Sequence, residues 1–452
     1  MPNEVLQIER PGARPSTTHK SERLVIDGGS RLEGTISAGG SKNTVLPLMT
    51  GALLAPGRTT IYNISVLHDV FTLAEALRTL GCTIAYDPDH DPNTPETMVI
   101  DATTVERCEP PPELVNAMRA SFYLLGALLS RCGKARVGLP GGDAWGARPV
   151  NLHLEGLKAF GAEIDIEGGT VSAVAPGGRL AGGTFHLEPS SVGATVNLLL
   201  GAVLARGSSR ISNAAMEPDV VVFGEMLRAM GARIEGLGTR VLEIEGVEEL
   251  HPVVFRNTSD RIEVGTYMIA GAMAGVPGKG IRITNAEPEH LGDAFIEAFT
   301  ATGATFTAGQ TWIEVIPPER LQAVSITTAI FPGFPTDLQA QWTAMMTCAD
   351  GSATVTDPIY PERFQHVPEL NKMGARIEVV RNTARIRSCL LRGAEVEAAD
   401  VRAGVALALA GLVAEGKTSI GGLHHLDRGY EKLEQKLAGL GASVHRERGS
   451  GS

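Results

Sequence analysis

The sequence has no pair of cysteines at CxxC spacing: its five thiols, Cys82, Cys108, Cys132, Cys348 and Cys389, are scattered and odd in number. That pattern indicates neither a disulfide framework nor a zinc site, so free thiols buried in a reducing cytosol are expected. Clustered Lys and Arg are also missing, and the net charge is -11. A nucleic-acid partner needs a concentrated basic face to offset phosphate charge, so none is expected, although small anions can still bind at local basic sites. No apolar run reaches the ~18 residues of a transmembrane helix, so no membrane association is expected. The first 22 residues lack the apolar stretch of a signal peptide and read as a disordered extension. What is present, 43% hydrophobic and 20% charged residues over 452 positions, is material for two or three globular domains.

One pattern organises the chain. Gly followed by Ala or Cys and then a short strand recurs at Gly81, Gly161, Gly231, Gly303, Gly374 and Gly441, with spacings of 80, 70, 72, 71 and 67 residues. Self-similarity at this period indicates six copies of one supersecondary unit. Each copy opens with an apolar helix: Asn43 to Leu54, Met118 to Leu129, Val192 to Leu204, Val264 to Ala274, Leu338 to Cys348 and Val401 to Val413. Apolar residues surround these helices instead of forming one stripe, which predicts interior positions.

A short β-rich run follows each (TTIYN at 59, ARVGLP at 135, SRISN at 209, IRITN at 281, ATVTD at 353, TSIGG at 418). A second, amphipathic helix comes next, clearest in DVFTLAEALRTL from Asp69 and YEKLEQKLAGL from Tyr430. The glycine stops it as a left-handed C-cap, and a strand or hairpin ends the unit. The last copy lacks its closing strand, while RLVIDGG from Arg23 and EGTISAGG from Glu33 have no unit of their own. The amino-terminal strands are therefore expected to complete the sixth unit. This makes an α/β protein of two domains, each of three βαβαββ-type units with helices inside and sheets outside. One domain would comprise residues 23–41 and 259–448, the other would be inserted at 42–258, and a cleft and hinge would lie between them. Six units in one open solenoid is the alternative, opposed by the absence of polar capping faces.

Polar residues gather where the buried helices start: Lys42 and Asn43, Arg119, Ser191, Arg261 with Glu263, Asp337, and Asp400 with Arg402. Helix starts present unpaired N–H groups and positive dipole ends, so several converging on a cleft would attract phosphate or carboxylate. N-capping and salt bridges explain Ser191 and Asp337 equally well. The segment Leu139 to Pro149, LPGGDAWGARP, suits a mobile loop that carries Asp143 and Arg148 over a substrate; a solvated turn is the plainer reading. His424 and His425 lack partners at metal-ligand spacing, so no metal is expected.

At these positions the chain resembles the UDP-N-acetylglucosamine enolpyruvyl transferases. The resemblance is carried by GGSKN from Gly39, MRAS from Met118, LPGG and GARP from Leu139, SVGAT from Ser191, DRIE from Asp260, FPTDLQAQ from Phe334, ERFQHVPEL from Glu362 and HLDRGYE from His425. It implies two inside-out α/β barrel domains closing over substrates. It also implies transfer of the enolpyruvyl group of phosphoenolpyruvate to the 3-hydroxyl of UDP-N-acetylglucosamine with release of phosphate, an early cytoplasmic step of peptidoglycan synthesis that uses no cofactor.

By the same resemblance, Asp337 orients or deprotonates the sugar hydroxyl, and Lys42, Arg148 and Arg428 surround phosphoenolpyruvate. Arg119 and Arg402 are further ligands of the anionic cleft, and Asn43 hydrogen-bonds the reacting centre. Uridine and diphosphate would lie against Arg148, Pro149, Val150, Asn151 and Leu152, against Ser191, Val192 and Gly193, and against Ile359.

Several positions depart from the family pattern. Asp143 stands where most members carry Cys, which implies a carboxyl general acid that the epoxide antibiotic fosfomycin does not alkylate efficiently. Tyr123 replaces a common Trp, Asn151 an Asp and Pro189 a Lys, and Pro361 with Glu362 replace Glu and Asn. These changes leave open a paralogous transferase acting on another nucleotide-type alcohol, or a non-catalytic UDP-sugar binding protein. Shikimate 3-phosphate as acceptor is disfavoured, because GGSKNTVLPL lacks the SKS and downstream Arg of that sister family.

Overall fold

The computed structural model describes residues 22–87, 96–116, 118–140 and 150–448. The repeated Gly-Ala signature has a backbone cause. Gly81, Gly161, Gly231, Gly303, Gly374 and Gly441 all have φ between +87° and +109°, a conformation that a side chain would strain. At Gly81 the N–H returns to Arg78 O at 3.0 Å and the next N–H, of Cys82, to Leu77 O at 3.2 Å. This pair of bonds is a Schellman cap. The same pair closes the helices before Gly161, Gly231, Gly374 and Gly441. The residue after the glycine turns inward, as the burial of Cys82, Ala162, Ala232, Ala304 and Ala442 shows, so it must be small.

The apolar helices are interior. In Val401–Val413, all ten residues from Ala403 to Leu412 are buried, and Lys42–Gly51, Val192–Ala202 and Arg261–Ala274 are nearly as enclosed. Two boundaries differ from the sequence reading. The second repeat opens with a 3-10 turn, Arg119–Tyr123, before the α-helix Leu124–Cys132. The final amphipathic helix is Leu433–Gly439 and does not start at Tyr430, because Lys432 at φ 49° interrupts the helical path. Of the cysteines only Cys82 is buried; the other four are half-buried and free.

Among the described residues six small sheets cover the helices. In each, the strand after the buried helix pairs antiparallel with the last strand of the unit, which pairs antiparallel with the middle one; Arg58–Tyr62, Thr97–Asp101 and Thr83–Asp87 are an example. In five sheets a short strand lies parallel on the open side of the first; the sheet on Lys134–Gly138 has three strands among the described residues.

Glu22–Asp27 lies between Lys417–Gly421 and Ser443–Arg448, so the amino terminus supplies the closing strand of the sixth unit. The second early strand does not belong there. Gly34–Ser37 instead runs parallel to Ile281–Thr284 in the fourth unit, and Val254–Arg256 runs parallel to Arg58–Tyr62 in the first.

Buried apolar residues form two clusters, one drawn from Val45 to Leu250 and the other from Leu24 to Ala38 with Ile262 to Ala442. The chain passes between them twice, side by side. Ser41 N–H donates to Thr258 O and Asp260 N–H to Gly39 O, both at 2.8 Å. The buried Asn257 amide ties the pair by donating to Ser41 O and Asn63 O, both at 3.0 Å. The buried helices Lys42–Gly51 and Arg261–Ala274 start at this crossing. Among the described residues no helix is long and apolar enough to cross a membrane.

Candidate active site

Asp337 occupies the 3-10 turn Thr336–Leu338 that opens the helix Gln339–Cys348. Its Oδ1 accepts from Arg363 Nη2 at 2.9 Å and from Arg402 Nε at 3.1 Å. Withdrawal from solvent works against ionisation, yet Arg402 and Arg363 hold this carboxyl well below the usual carboxylate range. Arg402 is placed by its own helix start, where Asp400 Oδ1 accepts from Arg402 N at 2.7 Å and Ala403 N at 3.0 Å. Arg363 arrives on a different loop and also donates to Thr336 Oγ1 at 3.2 Å. That hydroxyl donates to Asp357 Oδ2 at 2.6 Å, while Asp357 Oδ1 accepts from Ile359 N at 3.0 Å. Ile359 is thereby anchored to the Asp337 cluster.

A second cluster forms across the two cores. Lys42 is the first residue of its helix, with Ser41 capping Thr44 N at 3.2 Å. Lys42 Nζ lies 3.3 Å from Asp69 Oδ2 and donates to Arg428 O at 3.1 Å. Arg428 Nη2 is 3.4 Å from the other Asp69 oxygen. Nearby, Asp219 accepts from Thr44 Oγ1 at 2.6 Å and Ser41 Oγ at 3.1 Å and pairs with Arg261 Nε at 3.5 Å. Burial raises the neighbouring Glu217 carboxyl above its ordinary range, opposed in part by Arg261. Asn43 is exposed beside Lys42.

The third group belongs to the Val45 to Leu250 core. Val150 precedes the helix Asn151–Ala159, whose first turn includes Leu152 and the buried His153. A methyl placed on Gly193 would lie 3.2 Å from His153 Cε1 and 3.9 Å from Tyr123, so the start of Val192–Ala202 packs directly on this histidine. Ser191 caps that helix by accepting from Ala194 N at 3.3 Å, which is the structural role its residue type suggests. His153 Nδ1 faces Asn197 Nδ2 at 3.0 Å. Burial, with Arg119 adding to it, pushes His153 down to about 3, so the ring is neutral.

The sequence residues thus fall into three neighbouring groups: Asp337, Arg402 and Ile359; Lys42, Asn43 and Arg428; Val150, Asn151, Leu152, Ser191, Val192 and Gly193 with Arg119. Asp143, Arg148 and Pro149 lie outside the described residues. The sequence reading missed Arg363, Asp69 and Asp219. Arg363 sits in the ERFQHVPEL motif, but not at a buried-helix start. Asp69 and Asp219 read as ordinary first-turn acids of amphipathic helices.

Residues 26–437 match the family model of EPSP synthase (3-phosphoshikimate 1-carboxyvinyltransferase). A UDP-N-acetylglucosamine 1-carboxyvinyltransferase of Pelodictyon phaeoclathratiforme is 45% identical over 94% of this chain and 99% of its own. A protein of the same name from Myxococcus xanthus is 44% identical over 94% of this chain and all of its own, 100%. Among solved structures, the enolpyruvyl transferase NikO from Streptomyces tendae superposes with a TM-score of 0.84 at 28% identity, covering 94% of this chain and 98% of NikO. EPSP synthase from Acinetobacter baumannii, at TM-score 0.74 and 19% identity over 94% of this chain and 100% of its own, shares the fold. The chain belongs to the EPSP synthase family of carboxyvinyl transferases, and the two curated relatives described above carry the name UDP-N-acetylglucosamine 1-carboxyvinyltransferase.

Proposed function

We propose that this protein transfers the enolpyruvyl group of phosphoenolpyruvate to the 3-hydroxyl of UDP-N-acetylglucosamine, the first committed step of peptidoglycan synthesis, in the cytoplasm. The observation that carries this reading is the 45% identity to an enzyme of that name over 94% of the chain. The geometry supports it with a carboxylate that stays ionised between Arg363 and Arg402, and with a separate Lys42–Asp69–Arg428 cluster that joins the two cores.

The reaction balances in two steps. The sugar O3–H loses its proton as O3 bonds to carbon 2 of phosphoenolpyruvate, and carbon 3 gains a proton, giving a tetrahedral adduct. Carbon 3 then loses a proton, the carbon–phosphate oxygen bond breaks, and phosphate leaves behind the enol ether. Asp337, held acidic by two guanidinium groups, is suited to accept a hydrogen bond from O3–H and aim it. It becomes a useful base only when substrate draws an arginine away.

Lys42, Arg428, Arg402, Arg119 and Arg148 offset the substrate charge and the charge that develops in the adduct. Asn43 would bind the reacting centre, and Asp143 would deliver the proton to carbon 3. Pro149, Val150, Asn151, Leu152, Ser191, Val192, Gly193 and Ile359 would line the nucleotide end. Unpaired N–H groups at the capped start of Val192–Ala202, with no side chain at Gly193, favour a diphosphate there. Phosphate release from phosphoenolpyruvate measured against a panel of hydroxyl acceptors tests the reading. Release dependent on UDP-N-acetylglucosamine is expected, and release only with another acceptor refutes it.

A further inference from the structure

Asp69 is a buried carboxylate that joins the two basic residues expected around phosphoenolpyruvate. Lys42 comes from the start of the first buried helix and Arg428 from the last unit, at sequence separations from Asp69 of 27 and, for the Lys42 to Arg428 contact, 386 residues. The Asp69 side chain is 8% exposed, that of Lys42 20% and that of Arg428 42%. The acid is the most buried of the three and the cations are the more exposed. Among the described residues Asp69 Oδ1 accepts no hydrogen bond although it is buried, and its contact with Arg428 at 3.4 Å is ionic only. A buried acceptor without a donor is costly, so this oxygen is free to accept a guanidinium N–H on any small inward movement of Arg428.

The repeat supplies a contrast. Asp69 and Asp219 each stand 12 residues before a signature glycine, Gly81 and Gly231. Asp219 spends one oxygen on the hydroxyls of Ser41 and Thr44 and the other on Arg261. Asp69 instead gives both oxygens to cations. The same position has become a structural tie in one unit and a cation holder in the other.

We propose that Asp69 is a positioning residue for the phosphoenolpyruvate end of the cleft: it fixes Lys42 and Arg428 at one point so that both face the anionic substrate. The inference rests on the function proposed above. Without the carboxylate, two like charges brought together by the fold repel, and the half-exposed Arg428 swings toward solvent. Preorganisation for the anion is then lost, while the nucleotide end, built on other elements, is unaffected.

The test is steady-state kinetics of the full chain carrying Asp69→Asn and Asp69→Glu, with thermal melting of each. Asp69→Asn should raise KM for phosphoenolpyruvate by about tenfold or more and move KM for UDP-N-acetylglucosamine less than about twofold. Asp69→Glu, which keeps the charge, should recover part of the loss. Equal changes in both KM values, or an unchanged KM for phosphoenolpyruvate in a variant that melts like wild type, would overturn the proposal. Should Asp69→Asn fail to fold, Asp69→Glu alone decides: a raised KM for phosphoenolpyruvate only, or no selective change. A wild-type chain that releases no phosphate with UDP-N-acetylglucosamine would instead refute the function on which the inference rests.

Discussion

Asp337 and Arg402 form an ion pair with 3.1 Å between Oδ1 and Nε, linking two buried-helix starts 65 residues apart in sequence. The pairing explains why the carboxyl stays ionised far below its ordinary range, and it sets what can be expected of the residue. Asp337→Asn keeps the shape but accepts and orients poorly. It should lower kcat by roughly 100-fold or more in a phosphate-release assay. Because Arg402 and Arg363 hold the carboxyl of the free enzyme below its ordinary range, wild-type kcat/KM should not fall through Asp337 as pH drops from 7 to 5.

His153 and His366, the two buried histidines among the described residues, set an acid limit on stability. Each ring is pushed down to about 3 by burial, with Arg119 and Arg363 adding to the effect. Their folded values lie below the unfolded value of about 6.5, so the unfolded chain binds more protons between those limits, and stability falls as pH falls through them. Each histidine contributes a slope of about 1.4 kcal/mol per pH unit within that window. Unfolding free energy measured by denaturant titration between pH 6 and 4.5 should show this slope, and His366→Gln should reduce it by about one proton's worth.

The family resemblance implies that Asp143 replaces a thiol, and we propose on that ground that fosfomycin has no sulfur to alkylate there. Wild-type turnover should survive prolonged incubation with the drug. Asp143→Cys should stay active and become irreversibly inhibited.

Ile26 is 0% exposed on the amino-terminal strand and lies across from Thr418 and Val444 of the last unit. Ile26→Ala should cost about 2–5 kcal/mol of unfolding free energy. That loss is large for a residue so near the start of the chain, and it is measurable by chemical denaturation.

The six interior helices were readable because apolar residues encircle them, and the glycine signature was readable because only a residue without a side chain tolerates the Schellman cap. Strand partners were harder. Gly34–Ser37 and Val254–Arg256 are too short to carry a pairing pattern, and each finds a parallel partner more than 190 residues away, so the exchange of strands at the crossing is decided by tertiary packing. The site was legible where chemistry coincides with a helix start, as at Lys42, Asp337 and Arg402. It was illegible at Asp69 and Arg363, whose meaning lies in partners that only the folded chain brings near.

The central claim is that this chain moves an enolpyruvyl group onto UDP-N-acetylglucosamine. Phosphate release by the purified protein with phosphoenolpyruvate, with and without UDP-N-acetylglucosamine, measures it most directly. Release that requires the UDP-sugar and is lost in Asp337→Asn is the predicted result. Tight binding of the UDP-sugar without any phosphate release, or release driven only by a different alcohol, would contradict it.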